Sequence, residues 1–193
     1  MMGAAAGMPA VANEAVYTKL VIDQCEKTEE AEGGAAFRCP GLAGYDIHLQ
    51  VGDLRESVHF GPVGSWYAQG VWESFGEWNL GNDTIEWRVG PNGRPTATIQ
   101  RFFIDNIDPN TGSADPARRG QVLVISRVAQ PEDGLGCVAG YVDARAAENA
   151  NLLARQIADE LAPTFPCRQQ LPQFHGARGP NSGSPSSWFA VTD

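Results

Sequence analysis

Residues 45–60, YDIHLQVGDLRESVHF, constrain the fold more than any other stretch. Two alternating runs flank Gly52-Asp53, a dipeptide suited to a two-residue hairpin turn with glycine first. Pairing Val51 with Leu54 puts Leu49 opposite Glu56, Ile47 opposite Val58 and Tyr45 opposite Phe60. That face is mostly apolar. The other face carries Asp46 across from His59, His48 across from Ser57 and Gln50 across from Arg55. A one-residue slip would mix the two faces, so the pattern demands an antiparallel sheet with one face on a core.

The neighbouring segments extend that sheet. Residues 16–25 are β-branched and apolar enough for a first strand. Residues 26–36 are acidic and then Gly/Ala-rich, which predicts a solvated loop. Residues 61–82 read as a long Gly-rich connection. Ile85, Trp87 and Val89 alternate with Glu86 and Arg88, Pro91-Asn92-Gly93 makes a turn, and 95–104 returns. In that return the apolar phase changes from Ala97/Ile99 to Phe102/Ile104, which a bulge or a strand buried on both faces near Arg101 would explain. Residues 121–128 are nearly continuous apolar, as in a central strand covered on both sides. Residues 135–142 form a strand of small residues.

One helix is legible. Asn149 is its N-cap; Ala150, Leu153, Ile157 and Leu161 make a 3–4 stripe, and Pro163 ends it. Residues 168–193 are Pro/Gly/Ser-rich and read as a flexible tail. Strands followed by a helix predict an α+β fold, an antiparallel sheet of about six or seven strands with one C-terminal helix packed on a face. The domain spans 16–167, and 1–15 read as a signal-peptide remnant or a disordered N-terminus.

Cysteine usage sets the compartment. Cys25, Cys39, Cys137 and Cys167 fall into two local pairs. Three pairings are open; Cys25–Cys39 and Cys137–Cys167 are favoured because each closes a modest loop. Disulfides imply an oxidising compartment, periplasmic or secreted, whereas four free thiols would imply the cytosol. Ala10-Val11-Ala12 has the A-x-A form that signal peptidase accepts. No apolar run approaches ~18 residues, so no transmembrane segment is expected. The formal charge of −9, with 14 basic against 23 acidic residues, disfavours nucleic acid. It favours a protein partner with a basic surface.

No cofactor or catalytic motif stands out. His59 with Asp46 is the nearest catalytic pair, lacking an evident nucleophile. Asp105, Asp108 and Asn110 offer oxygen ligands in a loop that lacks glycine at the sixth position of a calcium loop. The most unusual feature is aromatic: Trp66, Tyr67, Trp72, Phe75 and Trp78 crowd a Gly-rich stretch. They read either as rings buried against the sheet or as a binding surface, since such rings give large contact area at low entropic cost. Trp188-Phe189 is either a second docking element or a sticky end.

At Cys39-Pro40-Gly41-Leu42-Ala43-Gly44-Tyr45, Gly52-Asp53-Leu54-Arg55 and Asp83-Thr84-Ile85-Glu86-Trp87-Arg88, the chain resembles a family of small uncharacterised exported bacterial proteins. The resemblance continues through Gly140-Tyr141-Val142-Asp143-Ala144 and Arg155-Gln156-Ile157-Ala158-Asp159. It implies export and transfers no activity. The layout is also similar to that of periplasmic lysozyme inhibitors, being small, exported, disulfide-bearing, antiparallel and acidic. The expectation is therefore a non-enzymatic exported binding or inhibitor module. The alternatives are an envelope-acting hydrolase using His59 and Asp46, or an accessory subunit docking onto a larger envelope assembly.

Overall fold

The computed structural model describes residues 13–68 and 70–189. The chain begins with strands β1 (Glu14–Lys19), β2 (Glu26–Ala31), β3 (Gly34–Leu42), β4 (Tyr45–Gly52) and β5 (Arg55–Phe60). A one-turn helix, α1 (Ser65–Ala68), leads into β6 (Val71–Phe75), β7 (Trp78–Val89) and β8 (Pro95–Asp105). Then come β9 (Gly120–Arg127), β10 (Cys137–Asp143), helix α2 (Ala150–Glu160), β11 (Gln173–Phe174) and β12 (Pro185–Phe189).

These strands form a six-stranded sheet in the order β1-β7-β8-β9-β10-β11, a four-stranded meander β2-β3-β4-β5, and a ribbon of β12 with β6. All pairings are antiparallel except the short β10–β11 ladder. The coarse expectation of antiparallel sheet, one C-terminal helix and two disulfides holds. The strand number does not: among the described residues, twelve strands in three sheets replace about six or seven in one.

Two cores make three layers. Between the two larger sheets lie Ile47, Leu49 and Phe60 from one, with Ile85, Trp87, Phe102 and Val124 from the other. On the far side of the six-stranded sheet, Ala97, Ile99, Leu123 and Ile125 meet α2. The stripe buried by α2 is Ala150, Ala154 and Ala158, spaced by four, while Leu153, Ile157 and Leu161 flank it half-buried. Methyl-sized side chains let the helix axis approach the sheet closely, so the alanines rather than the leucines mark the contact line. Asn149 occupies the N-cap position at φ +51°, in the left-handed region that asparagine tolerates, and its side chain makes no capping hydrogen bond there.

The phase change in β8 has a simple origin. Even-numbered positions face the inter-sheet core throughout, and β8 pairs with β9 without a break. Thr98 and Gln100 are polar residues buried on that inner face, so the strand is covered on both sides between 97 and 100.

The hairpin at 45–60 keeps its two predicted faces and shifts its register by two. Gly52 pairs with Arg55, Leu49 with Val58, Ile47 with Phe60, and His48 with His59. The turn residues are Asp53 and Leu54, both at positive φ (47° and 58°), as a type I′ turn requires. Leucine in that conformation is uncommon, and the turn is held from outside. Leu54 O accepts a bond from Asn79 N, and the Arg55 guanidinium donates to Gly76 O and pairs with Asp53. Because the shift is two residues, every side chain stays on its face.

Three other expectations change. The acidic segment 26–36 is a hairpin, β2 to β3, turning at Gly33 with φ +82°. All of β2 is exposed, so it has no apolar alternation to betray it; its charges suit an unpaired sheet edge. The first strand ends at Lys19 and is followed by a short 3-10 turn. The segment 168–189 is not loose. β11 adds to β10, His175 N donates to Tyr141 O, and β12 pairs with β6. The leader read in 1–15 falls mostly on residues outside the described ones, although Glu14 and Ala15 already belong to β1.

Both disulfides form as favoured, Cys25–Cys39 and Cys137–Cys167. The second ties the start of β10 to the chain just beyond α2. No helix among the described residues is long and apolar enough to cross a membrane.

Candidate functional site

The aromatic stretch divides between core and cleft. Leaving β5, Gly61 at φ +90° turns the chain across the outer face of the meander. Gly64 N donates to Gly134 O, and α1 then carries Trp66 and Tyr67. Trp66 is buried and its Nε1–H donates to Gly134 O at 2.7 Å, anchoring the segment. In β6, Val71, Glu73 and Phe75 are buried while Trp72 stays half-buried. Trp188 on β12 pairs directly with Trp72, so both indoles stand on one face of the ribbon. Trp188 remains 56% exposed.

The result is a cleft of about 730 Å³. Tyr67, Trp72 and Trp188 line it on the aromatic side; Arg38, His48 and Gln50 line it from β3 and β4; Thr28 and Glu29 line it from β2. Gly70 allows the aromatic wall to close. Its φ is +97°, and a Cβ there would stand 2.9 Å from the Trp188 ring. Of the five predicted binding aromatics, the cleft brings together Tyr67 and Trp72. Trp66 and Phe75 are core, and Trp78 lines a separate, more apolar concavity of about 480 Å³ with Val51, Leu54 and Leu80.

Behind the aromatic wall lies a buried polar pair. His59 Nε2 and Glu73 Oε2 are 3.1 Å apart, with both side chains fully inaccessible. The same carboxylate oxygen accepts from Val138 N at 2.8 Å, and Glu73 N donates to Ser57 Oγ at 3.0 Å. Ser187 Oγ donates to the other oxygen at 3.5 Å. The Tyr67 ring stands 5.2 Å from the rings of both His59 and His48. The predicted pairing of His59 with Asp46 is corrected by the register: His48, not Asp46, lies opposite His59. The carboxylate partner is Glu73, placed by a strand that comes from elsewhere in the chain. Fully buried and bonded to backbone, this pair joins β5, β6 and β10; it does not face the cleft.

The oxygen-rich loop has local uses for its candidates. Asp105 pairs with Arg119 at 2.9 Å, and Asp108 Oδ1 accepts from Asn110 N and Nδ2 in an Asx turn. Among the described residues no three His, Cys, Asp or Glu side chains are placed to hold a metal ion.

Two titrating groups of the cleft, His48 and Tyr67, are shifted toward their neutral forms. Burial pulls the His48 imidazole below its ordinary value, against the hydrogen bond to Gly61 O and the charge of Asp46, which act the other way; His59 and Arg38 add to the lowering. In neutral form its Nε2–H donates to Gly61 O at 2.9 Å. Burial, reinforced by Glu29, pushes the Tyr67 phenol up, so its hydroxyl keeps its proton. The sign for stability follows. A histidine lowered in the folded state binds its proton first in the unfolded chain, so stability falls as pH drops below the ordinary value of 6.5. His175, also lowered by burial, acts in the same sense, and Glu56, raised by burial, opposes it. Denaturant midpoints at pH 7 and pH 5 should therefore show a loss on acidification that is smaller in His48→Gln. An equal loss in both proteins would contradict this account of His48.

The chain matches no protein-family model, no curated protein and no solved structure. Its functional reading rests on the cleft. Sequence reasoning did not single out His48 and Gln50 of the cleft or Glu73 behind it, and it offered Trp188 as a docking element without its partner. Glu73 had a signal: Val71, Glu73 and Phe75 alternate, which puts the carboxylate on the apolar side of its strand. His48 and Gln50 had one as well, as the polar face of the best-patterned hairpin. Trp188 carried no local sign that it would meet Trp72 across more than a hundred residues.

Proposed function

We propose that the protein is a non-enzymatic binding module of an exported setting, periplasmic or secreted, and that the aromatic cleft receives its ligand. The observation that carries this reading is the convergence of Tyr67, Trp72 and Trp188, from α1, β6 and β12, on one cleft of about 730 Å³. That volume lies within the ~300–1,000 Å³ of small-molecule sites, whose walls are apolar or aromatic with a few polar groups. Two disulfides support the oxidising compartment. The shape favours a ligand that enters the protein over an inhibitory loop that enters a partner, because these rings line a concavity. The hydrolase alternative loses its base: His59 is fully buried against Glu73.

The test works on an unidentified ligand. The protein is incubated with boiled, size-filtered extracts of bacterial cells and culture medium, desalted and weighed by native mass spectrometry. A mass adduct should appear on the wild type and be lost from Trp72→Ala and Trp188→Ala, with thermal midpoints of the variants close to wild type. Absence of any adduct, or an adduct equal on all three proteins, would contradict the reading.

A further inference from the structure

Charge and hydrogen-bonding capacity narrow the ligand class. The cleft holds one cation, Arg38, and that guanidinium is already paired with Glu26 on the neighbouring strand. Glu29 adds a carboxylate to the lining. An anion would meet Glu29 and the exposed acids of β2; an organic cation in the aromatic wall would meet Arg38. An aromatic cage for a quaternary ammonium gains its energy from ring faces without a competing positive charge. The opposed charges of this cleft instead favour a ligand with no net charge.

The polar groups are of mixed kind. Gln50 supplies an amide with two donors and an acceptor, and its Oε1, shielded from solvent, has no hydrogen-bond partner among the described residues. A shielded acceptor without a donor is costly, so a ligand that brings a donor to it gains more than an exposed contact would. Arg38 offers donors beyond the one it gives Glu26, the Tyr67 and Thr28 hydroxyls both donate and accept, and Glu29 accepts. The Trp72 and Trp188 indoles line the same cleft as these polar groups, broad apolar surfaces that favour a flat apolar face.

We propose that the cleft binds a neutral saccharide chain, with the apolar face of a sugar ring against Trp72 or Trp188 and its hydroxyls on Gln50, Arg38 and Glu29. A saccharide ring joins an apolar face to a rim of groups that both donate and accept, which is the division the cleft presents. The volume lies in the upper part of the ~300–1,000 Å³ range and suits an oligosaccharide better than a single ring. This assignment rests on the cleft being the ligand site.

The test is a glycan array carrying neutral oligosaccharides, among them β-linked N-acetylglucosamine, β-glucan and α-glucan chains, probed with the labelled full chain. Hits are followed by titration of tryptophan fluorescence, with choline chloride and inorganic phosphate as charged controls. Free oligosaccharide and the corresponding insoluble polysaccharide, tested by co-sedimentation, separate a soluble ligand from a polymer. The expected result is saturable binding of at least one neutral saccharide, weakened by about tenfold or more, some 1.4 kcal/mol, in Trp188→Ala and in Gln50→Ala. Trp188 is exposed, so its removal leaves the core untouched. No binding on the array, or binding of choline or phosphate with loss in the same variants, overturns the proposal. If the native-mass adduct proves to be something other than a saccharide, the ligand class fails while the site reading stands. If neither adduct nor saccharide is found, both fail.

Discussion

Replacing Glu73 by alanine should cost about 2–6 kcal/mol of stability, the scale for stranding two buried hydrogen-bond donors at about 1–3 kcal/mol each. The reason is the number of groups that depend on one carboxylate. Its Oε2 receives the His59 ring nitrogen and Val138 N, and its Oε1 receives Ser187 Oγ. The His59 side chain is fully inaccessible, as is the carboxylate itself. Removing the carboxylate leaves a ring nitrogen and a backbone N–H without acceptors, each at the cost of a buried unsatisfied donor. The location compounds the loss. Val138 sits where the β10–β9 ladder shifts register, so the carboxylate supplies a bond where the ladder is irregular. Glu73→Gln keeps one oxygen that can serve both donors, so it should lose clearly less than alanine. Urea midpoints of the three proteins at neutral pH check the order wild type, Gln, Ala. An alanine variant within about 1 kcal/mol of wild type would show that the network contributes little; the scale of ordinary surface substitutions is about ±0.5 kcal/mol.

Opening the Cys137–Cys167 bridge by replacing both residues with alanine should cost about 3–4 kcal/mol. The bridge closes a loop of sequence separation 30, and the chain-entropy estimate grows with the logarithm of that length. The loop contains β10 and all of α2, and both sulfurs lie in the helix-side core with Phe165 and Ala162. The Cys25–Cys39 bridge spans a separation of 14, which gives about 3 kcal/mol on the same estimate. It pins the exposed β2 edge to β3, so its loss should act mainly there. Denaturant unfolding of the two double variants should rank the 137–167 pair as the more costly. Hydrogen exchange should place the 25–39 effect in β2 and β3. Equal and global losses would contradict this division.

The sequence predicts most reliably where burial has a simple period. The hairpin at 45–60 shows its faces because Ile47, Leu49, Val58 and Phe60 alternate with polar neighbours. Its register departs from expectation because Gly52-Asp53 is the better turn dipeptide by intrinsic preference. The fold instead turns at Asp53-Leu54 and holds a left-handed leucine by bonds from β7 and Gly76. Strand β2 is hidden for the opposite reason: an exposed charged edge has no period to display. The alanine stripe of α2 is masked by the larger leucines beside it, although close packing selects the small residues. The cleft is half legible. The aromatics between 66 and 78 signal a special segment, and the structure sorts them by which direction each strand position faces. The other half depends on β12 pairing with β6, a contact between distant stretches, and β12 lies in a Pro/Gly/Ser-rich region that composition alone reads as tail.

The five tryptophans offer one direct measurement of the central claim, that the cleft is where a ligand binds. Trp72 and Trp188 line the cleft, Trp66 is buried beside it, Trp78 lines the separate apolar concavity, and Trp87 is sealed in the inter-sheet core. Their indole N–H signals are separate reporters in a two-dimensional nitrogen–proton NMR spectrum. Titrated with the ligand fraction or the saccharide, the protein should show large saturable shifts at Trp72 and Trp188, a small one at Trp66, and none at Trp78 or Trp87. Shifts confined to Trp78, or five unmoved signals in the presence of a bound ligand, would contradict the assignment of the cleft.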